Sequence, residues 1–225
     1  MSTQKKILLF LLTYAVILVC GISGDIALAA VEVDLHDKSP DVVINGATAG
    51  DATGYSVAFG DIDGDGKIDM LIGAPEANGL GEGTNSAGRV YLFYGGKPLS
   101  NKELMNGADL IIYGVNEFRL GYSIAAGDVD GDGYDDIIAS APSALGDKGG
   151  VIVVYGKTGL SGDVDILGPI EGTFISIIKG ADTGDRVGCS VATGDINGDK
   201  IKDILVGSRY ADGPDNKRIG AGEAY

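Results

Sequence analysis

No tryptophan, one histidine and two cysteines occur in 225 residues, with only six prolines. With His36 as the sole imidazole, chemistry built on a histidine cluster or on repeated His-dependent triads is excluded. Cys20 falls inside an export leader, so the chain without that leader keeps only Cys189 and has no internal disulfide to stabilise it. Positive charge is also scarce: 17 Lys+Arg stand against 32 Asp+Glu, giving a net charge of −15 and a pI near 4.3. Such a surface repels nucleic acid and anionic membrane, and neither is expected as a partner. After residue 30 no run combines helical period with helical length. What the chain has in excess is glycine, 38 residues, or about 17% against a background near 7%. There is no G-X-Y period and 44% of residues are apolar, which describes a folded, turn-rich, all-β chain.

Residues 1–29 read as a signal peptide. Lys5-Lys6 form a basic start, Ile7 to Val19 a 13-residue apolar core, and Ala27-Leu28-Ala29 a small-x-small cleavage site. The mature chain is expected to begin at Ala30 and to be secreted or displayed at the cell surface, or held in a periplasm. The charge-free stretch Ile7 to Gly24 spans 18 residues, short of the ~20 that cross a bilayer, so no membrane insertion is expected after cleavage. Cys20 follows Val19 rather than a small residue, which argues against lipidation.

An internal repeat organises residues 30–225. Gly54-Tyr55-Ser56-Val57-Ala58 recurs as Gly121-Tyr122-Ser123-Ile124-Ala125 and as Gly188-Cys189-Ser190-Val191-Ala192, at a spacing of 67 residues both times. Over 22 gap-free positions from those glycines, the second copy matches the first at 13 and the third matches it at 12. Short Val-, Ile- and Tyr-rich runs bounded by glycine predict four strands per copy. In the first they are Tyr55 to Phe59, Met70 to Ile72, Val90 to Tyr94 and Leu110 to Tyr113; in the second, Tyr122 to Ala126, Ile137 to Ala139, Val151 to Tyr155 and Phe174 to Ile178. Four antiparallel strands make one blade of a β-propeller, so the expected fold is a partial propeller of about three blades.

Between the first and second strands of each copy lies a nine-residue acidic loop. Its oxygen-bearing side chains sit at positions 1, 3, 5 and 9: Asp61, Asp63, Asp65 and Asp69; Asp128, Asp130, Asp132 and Asp136; Asp195, Asn197, Asp199 and Asp203. Carboxylates at this density repel one another unless a cation lies among them. All-oxygen ligands, completed by a main-chain carbonyl at position 7 (Lys67, Tyr134, Ile201) and a bidentate carboxylate at position 9, suit Ca²⁺ better than Mg²⁺. Three such ions would add +6 and bring the charge from −15 to −9. A lone Asp-Gly is also a hairpin turn, but three copies in fixed register favour metal. The third site is expected to be weakest, since Asn197 replaces a carboxylate and Lys200 replaces the glycine of position 6, where a positive φ is wanted. An EF-hand is rejected because position 12 is Ile72, Ala139 or Val206 and the flanks are strands.

The order Gly-Tyr-Ser-Val-Ala, Gly-Asp-x-Asp-Gly-Asp-Gly, Gly-Ala-Pro and Val-Tyr-Leu-Phe-Tyr-Gly resembles the FG-GAP repeat of integrin α-chain N-terminal propellers, over nearly all of residues 41–225. The resemblance implies a seven-bladed propeller that binds Ca²⁺ at two to three of these loops. The sequence departs from the pattern at Thr53, Leu120 and Val187, where phenylalanine is expected, and at Gly207-Ser208-Arg209 in place of Gly-Ala-Pro. Cysteines that tie integrin blades together are missing, which points to a bacterial or distant homologue.

Ser56, Ser123 and Ser190 sit in G-x-S-x-A contexts, yet their repetition without a partnering base makes them hydrogen-bonding fixtures of the blade rather than nucleophiles. Tyr55, Tyr91, Tyr94, Tyr122 and Tyr155 read as blade packing and His36 as a solvated residue. No enzyme is expected. The function expected is a secreted or surface Ca²⁺-binding module recognising a protein or glycan; the alternative is the non-catalytic scaffold of a larger extracellular hydrolase or lyase. The second-to-third-strand connections vary (Glu76 to Ala87, 12 residues; Ser143 to Lys148, 6; Tyr210 to Ala221, 12), so the ligand face is expected opposite the acidic loops. Three repeats, the last stopping within its third strand, leave a ring that cannot close and strand edges prone to associate.

Overall fold

The computed structural model describes residues 43–81, 84–97, 102–103, 107–168, 175–213 and 216–225. The signal segment 1–29 and His36 lie outside them. In chain order the strands are β1 (Ile44–Asn45), β2 (Ser56–Gly60), β3 (Asp69–Ala74), β4 (Arg89–Phe93), β5 (Lys102–Glu103), β6 (Leu110–Tyr113), β7 (Ile124–Gly127), β8 (Asp136–Ser140), β9 (Gly150–Val154), β10 (Gly162–Asp165), β11 (Ile175–Lys179), β12 (Ser190–Gly194), β13 (Asp203–Ser208) and β14 (Glu223–Ala224). A four-residue helical turn, Ala144–Asp147, lies between β8 and β9, and Leu145 and Gly146 within it have φ of 57° and 73°.

Each repeat folds into its own antiparallel meander, as the spacing predicts. Blade 1 runs β2-β3-β4-β6, blade 2 runs β7-β8-β9-β11, and blade 3 runs β12-β13-β14. Register fixes the acidic loops: the pairs Gly60↔Asp69, Gly127↔Asp136 and Gly194↔Asp203 close the three hairpins at the same point. The inner strands β2, β7 and β12 pack side by side, so the three sheets form a partial propeller whose ring is not closed among the described residues.

Strand alternation sends neighbouring residues to different interfaces. Leu71, Val90, Leu92, Leu110 and Ile112 of blade 1 meet Ile124, Ile137, Ile152 and Val154 of blade 2 in one cluster. The intervening Ile72, Tyr91, Phe93, Ile111 and Tyr113 form a second cluster on the opposite side of blade 1. Ala125, Ile138, Val151 and Val153 of blade 2 meet Val187 and Val206 in a third. With both faces apolar, the strands read as near-continuous hydrophobic runs, and the sheet of blade 2 is packed between the sheets of blades 1 and 3.

Backbone bonds within and between blades repeat with the sequence. Within each blade the repeat's first glycine is held to the second strand, Gly121 N–H donating to Ser140 O at 3.0 Å and Gly188 N–H to Gly207 O at 3.0 Å, and other bonds cross from one blade to the next. Asp135 N–H reaches Asp61 O at 2.9 Å, and Lys202 N–H reaches Asp128 O at 2.8 Å. Ser56 Oγ–H donates to Gly121 O at 2.7 Å, and Ser123 Oγ accepts from Val191 N–H at 3.1 Å. These two serines are therefore the blade fixtures expected of them. Blades approach closely here: a Cβ added to Gly73 would lie 2.2 Å from Gly121 O.

Three short strands escaped the sequence: β1 and β5, which pair in parallel with each other, and β10. Blade 1 carries a fifth strand, β10, donated by the third-to-fourth-strand connection of blade 2 and paired parallel to β6 from Gly162↔Leu110 to Asp165↔Tyr113. Gly-Asp-Val-Asp has no β pattern; it is a strand only because β6 offers an open row of backbone groups.

Candidate metal centres

Each acidic loop holds its shape through side-chain oxygens that accept backbone N–H groups, and the pattern recurs position for position. Position 1 receives the N–H of position 6: Gly66 to Asp61 Oδ2 at 2.9 Å, Gly133 to Asp128 Oδ2 at 3.0 Å, Lys200 to Asp195 Oδ2 at 2.9 Å. Position 3 receives that of position 5: Asp65 to Asp63, Asp132 to Asp130, and Asp199 to Asn197 at 2.8 Å. Position 5 receives that of position 7, from Lys67, Tyr134 and Ile201 at 2.8 to 3.0 Å. Position 6 is left-handed throughout, with φ of 80° at Gly66, 94° at Gly133 and 76° at Lys200, so the lysine adopts a conformation that glycine takes without cost.

Position 9 differs in kind. Asp69 and Asp136 are 1% and 0% exposed. Both oxygens of each accept N–H bonds, from Ile62 and Gly95 for Asp69 and from Val129 and Gly156 for Asp136, all at 2.8 to 2.9 Å. Burial pushes the Asp136 carboxyl up to about 6 against those N–H groups, with Asp130 and Asp132 raising it further. Asp69 is raised for the same leading reason, with Asp63 and Asp61 adding to it. The position-9 carboxylates are thus buried and each fixed by two N–H donors, as part of the hairpin end that the loop closes.

Within two loops the carboxylates converge. Ligand oxygens of Asp61, Asp63 and Asp69 all lie within 4.8 Å of one another, as do those of Asp128, Asp130 and Asp136. Asp65 and Asp132 stand outside these trios; Asp65 instead pairs with Lys67 Nζ at 2.6 Å, which lowers its carboxyl below the ordinary value. Asp195, Asp199 and Asp203 do not form such a trio. Asp61 Oδ1 is buried and has no hydrogen-bond partner. An unpaired buried carboxylate oxygen inside a cluster of hard oxygen donors fits an alkaline-earth cation and leaves a softer metal without the nitrogen or sulfur it prefers.

Three groups that pattern reading passed over tie the loops together. Asp135 Oδ2 accepts Asp61 N–H at 2.9 Å, linking the second loop to the first. Thr158 Oγ1–H donates to Asp63 O at 3.2 Å and lies 3.3 Å from the Tyr134 hydroxyl. The Tyr134 ring covers Gly64, and Ile201 likewise covers Gly131, so the side chain at position 7 packs on the preceding loop. Their spacing carried a signal, since position 7 was apolar or aromatic in two copies, but only the ring geometry shows what it touches.

Three antiparallel meanders, each opening on an acidic hairpin, define an FG-GAP-type propeller. Residues 53–93 and 120–155 match the FG-GAP repeat, so the chain carries FG-GAP repeats, and both carboxylate trios fall within the matched residues. The chain is 34% identical over 168 residues to integrin α-V of Gallus gallus, covering 73% of this chain and 14% of that one. It is 31% identical over 180 residues to integrin α-PS2 of Drosophila melanogaster, covering 75% and 12%. Phosphatidylinositol-glycan-specific phospholipase D of Bos taurus is 30% identical over 168 residues, covering 71% and 19%. The chain thus spans 12% to 19% of the length of these relatives.

Proposed function

We propose that this chain is a Ca²⁺-binding propeller module, exported from the cell, that recognises a protein or glycan ligand and does no chemistry on it. The observation that carries the metal assignment is the repeated trio, Asp61-Asp63-Asp69 and Asp128-Asp130-Asp136, with its unpartnered buried oxygen on Asp61. Asp65, Asp132 and the carbonyls of Lys67 and Tyr134 complete each ligand set, and Asp195, Asn197, Asp199, Ile201 and Asp203 supply a weaker third. When bound, the cation neutralises carboxylates that otherwise repel and so stabilises the hairpin ends. Calorimetric titration of the chain with CaCl₂ tests this: two strong sites are expected, and heats no larger than dilution refute it.

Recognition is assigned to the opposite end of the strands. There the second-to-third-strand connections and blade-to-blade links enclose a groove of about 490 Å³ lined by Ser86, Asn116, Phe118, Arg119, Leu145 and Arg186. Ser86, Glu117, Leu145 and Asp147, all on its wall, have φ between 42° and 63°, backbone strain of the kind that rigid binding loops hold. Ala77 and Ala87 are buried and Glu76 pairs with Arg119 at 3.2 Å, so point substitution is a cleaner probe than loop deletion. Leu145→Asp should abolish ligand capture while leaving Ca²⁺ affinity unchanged; loss of both together refutes the assignment.

The match to a phospholipase D favours one second reading, in which this module is the non-catalytic scaffold of a longer extracellular hydrolase. A catalytic domain in the full reading frame would support it.

A further inference from the structure

Asp61 and Asp63 belong to the first acidic loop, yet groups that hold their backbone come from the second blade. Asp61 N–H donates to Asp135 Oδ2 at 2.9 Å and Asp135 N–H returns to Asp61 O at 2.9 Å, so the two residues clasp each other in both directions. Thr158 Oγ1–H donates to Asp63 O at 3.2 Å. The Tyr134 ring lies on Gly64, where an added Cβ would stand 2.7 Å from the ring edge. Positions 1, 3 and 4 of the first loop are therefore each met by a residue of blade 2.

Those same residues are built into the second candidate centre. Tyr134 and Asp135 are positions 7 and 8 of its loop, between Asp132 and the buried Asp136. Thr158 stands two residues after Gly156, whose N–H donates to Asp136 Oδ1 at 2.8 Å. Gly156 is wedged between the loops: a Cβ there would lie 2.3 Å from Asp135 O and 2.9 Å from Ile62 O. One short segment, Gly156-Lys157-Thr158, thus runs from a carboxylate of the second trio to the carbonyl of a residue in the first.

A cation that fixes the second loop fixes Tyr134, Asp135 and Gly156 with it, and the first loop then loses less conformational freedom when its own cation arrives. Linkage makes the effect mutual. Two divalent cations repel each other, which opposes the coupling; the Asp135 carboxylate, bonded to the Asp61 amide and next in sequence to Asp136, offsets that repulsion. Sixty-seven residues on, the third loop has Lys202 at this position. It keeps the backbone bond, Lys202 N–H to Asp128 O at 2.8 Å, but has no carboxylate to offer and carries the opposite charge. The carboxylate clasp therefore belongs to the first pair of loops.

We propose that the first two metal centres form one cooperative unit, in which Asp135 and Thr158 of blade 2 are positioning residues for Asp61 and Asp63 of blade 1, so that a cation in either centre raises the affinity of the other. The proposal rests on the Ca²⁺ reading above and adds to it that binding is shared across the junction of blades 1 and 2. Filling the pair fastens that junction, and its rigidity rises more steeply with free Ca²⁺ than two independent sites would make it.

Calorimetric titration of the full chain with CaCl₂, read as a mutant cycle, tests the coupling. Asp63→Ala disables the first centre and Asp130→Ala the second. The product of the two strong wild-type binding constants should exceed the product of the constants left in these two variants by about tenfold. The cycle is then repeated with Thr158→Val, which keeps the side-chain shape at an exposed position and removes the hydroxyl. The charges lost with Asp63 and Asp130 are the same in both cycles, so a fall of the coupling to about threefold or less reports the bridge alone. Asp135→Ala should abolish the coupling, and Asp135→Asn, which retains an acceptor for the Asp61 amide, should restore part of it. Melting in chelator should be the same for Thr158→Val as for wild type, which separates loss of coupling from loss of fold. A wild type whose heats do not exceed dilution refutes the Ca²⁺ reading and this inference with it. Two filled centres whose constants multiply without excess, or a coupling that survives both Thr158→Val and Asp135→Ala, overturn the cooperative unit and leave the Ca²⁺ reading standing.

Discussion

Repeats 2 and 3 make almost the same local bonds and differ in nearly everything that depends on neighbours. Loop by loop, Asp128 and Asp195 accept equivalent N–H groups, and so do Asp136 and Asp203 at Oδ2. Yet Asp136 is sealed from solvent and takes a second donor from Gly156, whereas Asp203 is half-buried. Ile138 is 0% exposed while Leu205, at the same position of the repeat, is 46% exposed. Shape is thus a property of the nine-residue loop, and burial a property of the blade's place in the ring.

Paired substitutions at equivalent positions can break this comparison. The largest effect is expected in the core: Ile138→Ala should cost about 2–5 kcal/mol in urea unfolding and Leu205→Ala far less, because only the first leaves a cavity. Equal losses would mean that blade 3 is packed as tightly as blade 2.

Calcium comes next. Raising free Ca²⁺ to a hundredfold above Kd should stabilise the chain by about 2.7 kcal/mol for each site that only the folded state fills. Asp63→Ala or Asp130→Ala should remove one site; Asp65→Ala or Asp132→Ala, outside the trios, should cost less affinity. In a titration the loop from Asp195 to Asp203 should fill last. A melting temperature that ignores both Ca²⁺ and chelator contradicts the metal assignment.

Lys200→Gly should stabilise the apo chain by about 1 kcal/mol through relief of its φ of 76°, and Gly133→Lys should do the reverse. Thermal melts in chelator read both. The smallest contrast lies at the blade serines. Ser56→Ala removes the bond to Gly121 O and should cost about 1 kcal/mol, whereas Ser190→Ala, on an exposed residue, should be nearly silent.

Much of this was readable in advance. Strand positions in blades 1 and 2 fall within two residues of the observed ranges, because alternating apolar runs between glycines leave few other foldings. The requirement for positive φ at position 6 was equally legible, since a sharp turn imposes it on whatever residue stands there. Pattern reading missed β10, whose sequence is polar, and it missed the role of Asp135 and Thr158, which act across loops far apart in the chain. Nor could it show which carboxylates of a loop converge, as those at positions 1, 3 and 9 do in the first two loops.

The sequence alone determined the repeat, the hairpin register and the internal bonding of each acidic loop, because those interactions join residues a few positions apart and recur wherever the motif recurs. Tertiary structure decided which carboxylates are buried, which oxygen is left without a donor and which apolar faces remain uncovered. Those properties depend on what lies one blade away, and a motif repeated three times cannot say which of its copies has a neighbour on both sides.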